Sequence, residues 1–294
     1  MKNLFAAFVF LLVYGTGNFV IASEGKMTAE EFEAQLNYRQ GIIELPGGKA
    51  TLNVPQSFRY LDPDDASKIL EVAWGNPPGA KTLGMLFPSD TSPLSRDGWG
   101  VVIQYDHDGH VSDSDAQEID YSELLVNMQE DTRQASEQRV QQGYGAIDLV
   151  GWAEPPSYNA STHKMYWAKE LKFGNAEENT LNYNIRVLGR EGVLVLNAVA
   201  GMSQLGQIKR EMDDVLTFSN FNDGHRYEDF NASTDKVATY GLAALVGGAV
   251  AAKTGFLAKL IALLVAGKKF VIIALVVIGG MFMKLFGRKS NEEV

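Results

Sequence analysis

Ten residues starting at Asp106, reading Asp-His-Asp-Gly-His-Val-Ser-Asp-Ser-Asp, crowd carboxylates and hydroxyls around a single glycine. Set against the calcium loop of the EF-hand, Gly109 takes the sharp-turn position and Asp106 and Asp108 precede it. Val111 takes the apolar position, and Ser112 and Asp115 fall where later ligands lie. Hard oxygen donors at that spacing suit Ca2+, with Asp106, Asp108 and Asp115 as candidate ligands. The match is incomplete, because Gln104 occupies the first ligand position and the closing residue is an Asp rather than a bidentate Glu. The competing reading is a tight Asp-Gly turn leading into a helix capped by Asp113 or Ser114.

A second concentration of chemistry is Gly151 to Tyr158, where Trp152, Pro155, Pro156 and Tyr158 surround Glu154, with His163, Tyr166, Trp167 and Lys169 close behind. An aromatic, proline-lined groove holds peptides or glycan strands; the same residues also serve as packing at a strand end. Glu154 and His163 would make an acid–base pair if the fold brought them together. Other catalytic patterns fail. Gly201-Met202-Ser203-Gln204-Leu205 lacks the last glycine of a nucleophile elbow, and no glycine-rich loop carries the Lys-Ser/Thr of a phosphate cradle. The chain has no Cys, which excludes zinc-thiolate sites, a catalytic thiol and disulfides, and its four His are scattered. These patterns lean against an enzyme.

The elements that must position these residues are legible as an alternation of hairpins and helices. Thr28 with Glu31 forms a capping box ahead of Phe32 and Leu36. Short strands at Ile42–Leu45 and Ala50–Val54 flank Pro46-Gly47-Gly48-Lys49, and Phe58–Tyr60 continues in extended form. Asp62-Pro63-Asp64-Asp65 reads as N-cap, Pro at the first helical position and acids in the first turn. Trp99–Tyr105 is a strand, and Ser114 with Gln117 caps a helix running to about Gln142. Ala146–Trp152 is a strand ended by Pro155-Pro156, and Met165–Phe173 alternates as another. Leu181–Leu188 and Val193–Val199 flank Gly189-Arg190-Glu191-Gly192, and Leu205 to Leu216 closes with an amphipathic helix. The order implies an α+β fold with a mainly antiparallel sheet and flanking helices.

The two ends differ in character. Lys2 precedes an uncharged run from Leu4 to Ala22, and Val20-Ile21-Ala22 matches an export-signal cleavage site, so residues 1–22 are expected to be a removed signal peptide. Residues 23–236 are then a soluble extracytoplasmic domain. From 237 to 286 the chain is apolar between scattered lysines, and Phe270–Met283 is short, very hydrophobic and lysine-flanked. Residues 237–286 are expected to form C-terminal transmembrane helices, with 287–294 a polar tail. Ala244, Gly248 and Ala252 recur every fourth residue, a spacing that lets another helix approach closely in lipid. The lysine pattern fits either one span or a two-helix hairpin.

Residues 24–236 hold 34 acidic and 18 basic residues, a net −16, within a chain whose total is −10. A domain this acidic is a poor nucleic-acid ligand.

Trp74-Gly75-Asn76-Pro77-Pro78, Thr82-Leu83-Gly84-Met85, Gly109–Ala116, Gly151–Tyr158, Tyr166-Trp167-Ala168, Leu181-Asn182-Tyr183 and Arg186-Val187-Leu188-Gly189-Arg190 resemble signatures of one bacterial family. It is the membrane-anchored family called domain of unknown function 2167. The resemblance extends from about residue 27 to 286 and includes Tyr227, Phe230, Asp235–Ala238 and Tyr240-Gly241. It implies a bacterial envelope protein on the cytoplasmic membrane with its domain in the periplasm, and it brings no activity with it. The short N-terminal strands, the hairpin and the closing helix also resemble the PsbP-like α+β sandwich, a likeness of fold that says nothing of function. The expectation is a non-enzymatic protein-binding or assembly module, contacting the lipid bilayer and a protein partner or a second copy through the anchor. The alternative is an envelope hydrolase acting on a glycan or peptide.

Overall fold

A computed structural model describes residues 27–76, 78–79, 81–141 and 145–247. In chain order these give α1 (Ala29–Glu33), β1 (Gly41–Glu44), β2 (Ala50–Val54), β3 (Phe58–Leu61), α2 (Pro63–Lys68, continued by a π turn over Ile69–Ala73) and β4 (Gly84–Pro88). Then come β5 (Gly100–Asp106), β6 (His110–Ser112), α3 (Tyr121–Gln141), β7 (Ile147–Asn159), β8 (Lys164–Phe173), β9 (Thr180–Leu188) and β10 (Val193–Gly201). The series closes with α4 (Leu205–Phe218), β11 (Ser219–Phe221), β12 (Val237–Gly241) and α5 (Leu242–Gly247).

The seven strands β3-β4-β5-β10-β9-β8-β7 form one sheet in which every neighbouring pair is antiparallel. A small sheet, β1-β2-β11, packs on one face of it, and β12 pairs in parallel with β6. The α+β reading with a mainly antiparallel sheet is therefore correct.

Alternation along β10 explains the layering. Leu194, Leu196, Ala198 and Ala200 point to one face, where they meet Ile208, Met212 and Val215 of α4 and the apolar side of the small sheet. Val193 and Val195 point to the other face, in a cluster with Trp167, Leu124 and Met128 of α3, and Leu242 and Val246 of α5. Val199, on that same face, joins a separate cluster with Phe87, Ile69, Trp74 and Phe32.

Local chemistry accounts for most boundaries. The Thr28/Glu31 capping box is formed, and Asp62 Oδ1 accepts from the amides of Asp64 (3.1 Å) and Asp65 (3.0 Å). Gly47 and Gly48 turn the first hairpin at φ +94° and +68°.

Three expectations are corrected. The prolines at 155 and 156 do not end a strand. β7 runs through them because it is the edge of the sheet, where a missing N–H breaks no ladder, and its register slips between Leu149 and Gly151, Trp152 and Glu154, and Glu154 and Ser157. The long helix begins at Tyr121 rather than at Ser114. Asp113 and Asp115 are taken by tertiary contacts, so Asp120 caps it instead, accepting from Ser122 (2.9 Å) and Glu123 (3.1 Å). The domain also continues past Lys236. Val237–Gly241 is a strand and Leu242–Gly247 a helix packed on α3, so Ala244 is a partly buried residue of the domain, while Gly248 and Ala252 lie outside the described residues.

No helix among the described residues is long and apolar enough to cross a membrane. The expected signal peptide and the span at Phe270–Met283 both lie outside those residues.

Gly109 joins β12 to the domain. Its φ is +103°, and a β-carbon there would sit 2.6 Å from the Lys236 carbonyl oxygen. Gly109→Ala is expected to cost about 2 kcal/mol, read as a lower urea midpoint at unchanged m with faster amide exchange in β12. A midpoint equal to wild type would show that β12 is not part of the cooperative unit.

Candidate functional site

Among the described residues no group of three His, Asp or Glu side chains could hold a metal ion. The three aspartates proposed for Ca2+ are engaged separately. Asp108 accepts from the Tyr240 hydroxyl (2.7 Å), and Asp115 accepts from the Leu242 amide (3.1 Å). Asp106 ends β5; burial raises its pKa, with Arg186 opposing that rise. The Asp108-Gly109 segment is a tight turn between β5 and β6.

Glu154 and His163 are not brought together. Glu154 receives two hydrogen bonds from Lys209 of α4 (2.7 and 2.8 Å), on the α4 side of the sheet. His163, in the β7–β8 turn at φ +52°, belongs to a knot on the opposite side. There Tyr158 donates to Asp113 Oδ2 (2.7 Å) and its hydroxyl lies 3.1 Å from His163 Nδ1. Tyr227 donates to Asp113 Oδ1 (3.1 Å) while its ring stacks on His163 at 4.0 Å. His110 stacks on Phe230 at 3.9 Å. Partial burial would raise the Asp113 pKa, but the two tyrosine hydroxyls outweigh it and hold the carboxyl below its usual range. The knot binds the β6–α3 loop and the β7–β8 turn to the segment that leads into β12.

The aromatic segment is divided between the two faces. Trp152 (donating to the Tyr121 carbonyl, 3.3 Å), Tyr158 and Trp167 belong to the α3 side, whereas Tyr166 stacks offset on Tyr183 on the α4 side. Pro155 is exposed and Pro156 buried.

A different set of residues converges on the α3 side. Strand pairing sets Asn197 opposite Asn184, Asn184 opposite Trp167, and Asn182 opposite Lys169, so all share one face with Arg186. This polar row separates the two apolar clusters of that face. Asn182, Asn184 and Asn197 are only 8%, 3% and 8% exposed. Asn184 donates to the Asn182 side-chain oxygen (3.0 Å), and Arg186 Nη1 donates to Asn197 Oδ1 (3.1 Å) with its guanidinium 4.9 Å from the centre of the Trp167 ring.

Lys169 and Arg186 are only partly exposed, and with the asparagines they occupy the gap between the two apolar clusters, a polar recess on the α3 face. Burial, reinforced by the Arg186 charge, lowers the Lys169 ammonium to about 8. Burial likewise lowers Arg186 to about 10, partly offset by Asp106. Among the described residues neither cation forms an ion pair, and the Lys169 ammonium has no hydrogen-bond partner.

The sequence did carry a signal for this recess. Asn197 interrupts the otherwise apolar Val-Leu-Val-Leu-Asn-Ala-Val-Ala-Gly run, and Asn182, Asn184 and Arg186 share one parity of β9. The aromatic cluster and the Asp-rich turn drew attention away from it.

An α+β domain with a cationic, amide-lined recess on one sheet face is the class of protein these observations define. The chain belongs to the family described as "Protein of unknown function (DUF2167)", which matches residues 37–279. Similar solved structures include the solution structure of cyanobacterial PsbP from Synechocystis, at 11% identity over 64% of this chain and 92% of that one, with a TM-score of 0.33. Another is the Ran-binding protein Mog1p of Saccharomyces cerevisiae, at 11% identity over 63% of this chain and 96% of that one, with a TM-score of 0.32. No curated protein matches the sequence.

The unpaired lysine has a thermodynamic signature. Its folded pKa of about 8 lies below the unfolded value of roughly 10.4. Between those values the unfolded chain therefore binds more protons, and the lysine's contribution to stability rises with pH. Lys169→Met is expected to stabilise the ligand-free domain by ~2 kcal/mol at pH 7. The gain should shrink from pH 8 upward and vanish above about pH 10.4. Chemical denaturation of the two proteins across that range is the measurement, and a pH-independent difference would contradict the placement of the charge.

Proposed function

We propose that this protein is a non-enzymatic binding module of the bacterial envelope, exported and then held at the cytoplasmic membrane by its C-terminal segment, with the recess as its ligand-binding site. The observation that carries this reading is the root of that segment. β12 pairs with β6, and Leu242 and Val246 of α5 are buried against α3 and the sheet, so the last described residues before that segment are packed into the domain. The residues that follow are the apolar, lysine-punctuated stretch ending in Phe270–Met283. Continuity of the packed domain with that apolar stretch suits a module held at the membrane to meet an envelope partner.

The separation of Glu154 from His163 removes the pair that motivated a hydrolase, and the Lys209 bonds engage Glu154 as an ion-pair partner. The net −16 of residues 24–236 keeps the outer surface of the domain off anionic headgroups, so attachment falls to the apolar segment.

Fractionation tests the attachment. The full chain is expected in the membrane pellet after carbonate washing, and a chain ending at Gly247 is expected in the soluble extracytoplasmic fraction. Recovery of the full chain from the soluble fraction would end this reading.

A further inference from the structure

We propose that the recess between the two apolar clusters of the α3 face is an oxyanion-binding site, taking a phosphate or carboxylate group between Lys169 and Arg186 with amide contacts from Asn182 and Asn197. The inference rests on the reading of the domain as a binding module and names what its site accepts.

Charge distribution supports it first. Acidic residues outnumber basic ones 34 to 18 in residues 24–236, so a carboxylate partner is available for most cations, and Lys49, Arg59, Arg190 and Lys209 each have one. Lys169 and Arg186, the cations most enclosed by protein, have none among the described residues.

The recess is also prepared for a ligand. Arg186 commits Nη1 to Asn197 and to its own strand's Ile185 carbonyl (2.9 Å), with its guanidinium carbon over the Trp167 ring. That fixes its orientation while leaving Nε and Nη2 without a partner among the described residues. Asn184 spends its NH2 group on the Asn182 backbone and side-chain oxygens, which leaves the Asn182 NH2 group without a partner among the described residues. The result is a set dominated by donors: the Asn182 and Asn197 side-chain oxygens are already in use, and among the described residues only the Asn184 oxygen is left as an acceptor. Such a set complements an oxyanion and repels a cation. Asp106 is the nearest opposing carboxylate; it acts on Arg186 through space and makes no direct ion pair with it.

The test uses the full chain in detergent micelles at fixed ionic strength, with inorganic phosphate and acetate as probes in calorimetry and chloride as the control. Saturable phosphate or acetate binding is expected, weakened roughly tenfold or more by Lys169→Met or Arg186→Gln and unchanged by Lys172→Met, which alters an exposed lysine of the same strand. Bound phosphate should also raise the Lys169 pKa, followed by NMR of the isotope-labelled side chain, a change that a purely structural lysine would not show. Vesicles separate the two sources of the group. Protection of Lys169 only by phosphatidylglycerol vesicles, and not by free phosphate beside phosphatidylcholine vesicles, identifies a lipid headgroup; the reverse identifies a soluble ligand. Absence of saturable binding by phosphate, acetate and phosphatidylglycerol to folded wild-type protein would overturn the proposal. A chain that pellets with membranes but binds none of them loses the ligand and keeps the module, whereas one that binds phosphate yet stays soluble loses the anchor and keeps the site.

Discussion

The β9–β10 hairpin is the constraint on which the remaining structure depends. It lies at the centre of the seven-stranded sheet and is paired without a bulge from Val193/Leu188 to Gly201/Thr180. Once that register is set, strand alternation decides which side chain meets which layer, and a slip of one residue would exchange the two faces wholesale. One face is then continuously apolar, so α4 and the small sheet close over it. The other face is apolar at both ends and polar in the middle, so it gathers two separate groups of helices with a recess between them. The recess is a direct consequence of placing Asn197 and Asn184 opposite each other in the most central pair of strands.

What the sequence made legible follows from how local each signal is. Caps and turns act within three or four residues, so the Thr28/Glu31 box, the Asp62-Pro63 helix start and both glycine hairpins could be read directly. The prolines of β7 misled because their effect depends on sheet position, and only the complete strand order shows that β7 has a free edge. The start of α3 misled for a related reason. Asp113, Ser114 and Asp115 have the composition of a cap, yet Tyr158, Tyr227 and Leu242, all distant in sequence, claim the two carboxylates. β12 was hidden inside an apolar stretch that hydropathy alone assigns to the membrane, and its pairing with β6 across more than a hundred residues left no local trace.

The candidate site was the least legible part, and the cause is physical. Alternating polar residues on a strand ordinarily mark a solvated face, and nothing local to Asn182, Asn184 and Arg186 records that α1, α2, α3 and α5 stand around them. By contrast, the Asp-rich turn and the Trp-Pro-Pro-Tyr segment attracted functional readings because unusual residues cluster in sequence. The fold distributes them instead. The aspartates become acceptors for a tyrosine and a backbone amide, and the aromatics divide between opposite faces of the sheet.

A stability-only account of the α3 face fails at Lys169. Its neighbours on the same strand face, Trp167 and Leu171, are buried in the apolar cluster, so an aliphatic residue between them would join that cluster and remove a desolvated charge. The other enclosed lysine, Lys164, is satisfied by hydrogen bonds to the Leu216 and Ser219 carbonyls and to the Asn220 side-chain oxygen. Lys169 has no such partner among the described residues, and burial, with the Arg186 charge adding to it, lowers the pKa of the ammonium. Asn184 and Asn197 bond to Asn182 and Arg186 and leave Lys169 without a partner among the described residues. Local stability is sacrificed in this way where a protein keeps a site ready for a ligand that is absent during folding. The same reasoning explains why the recess lies beside α5. α5, the last described helix, packs in the cluster that also contains Trp167, so the two share one hydrophobic core.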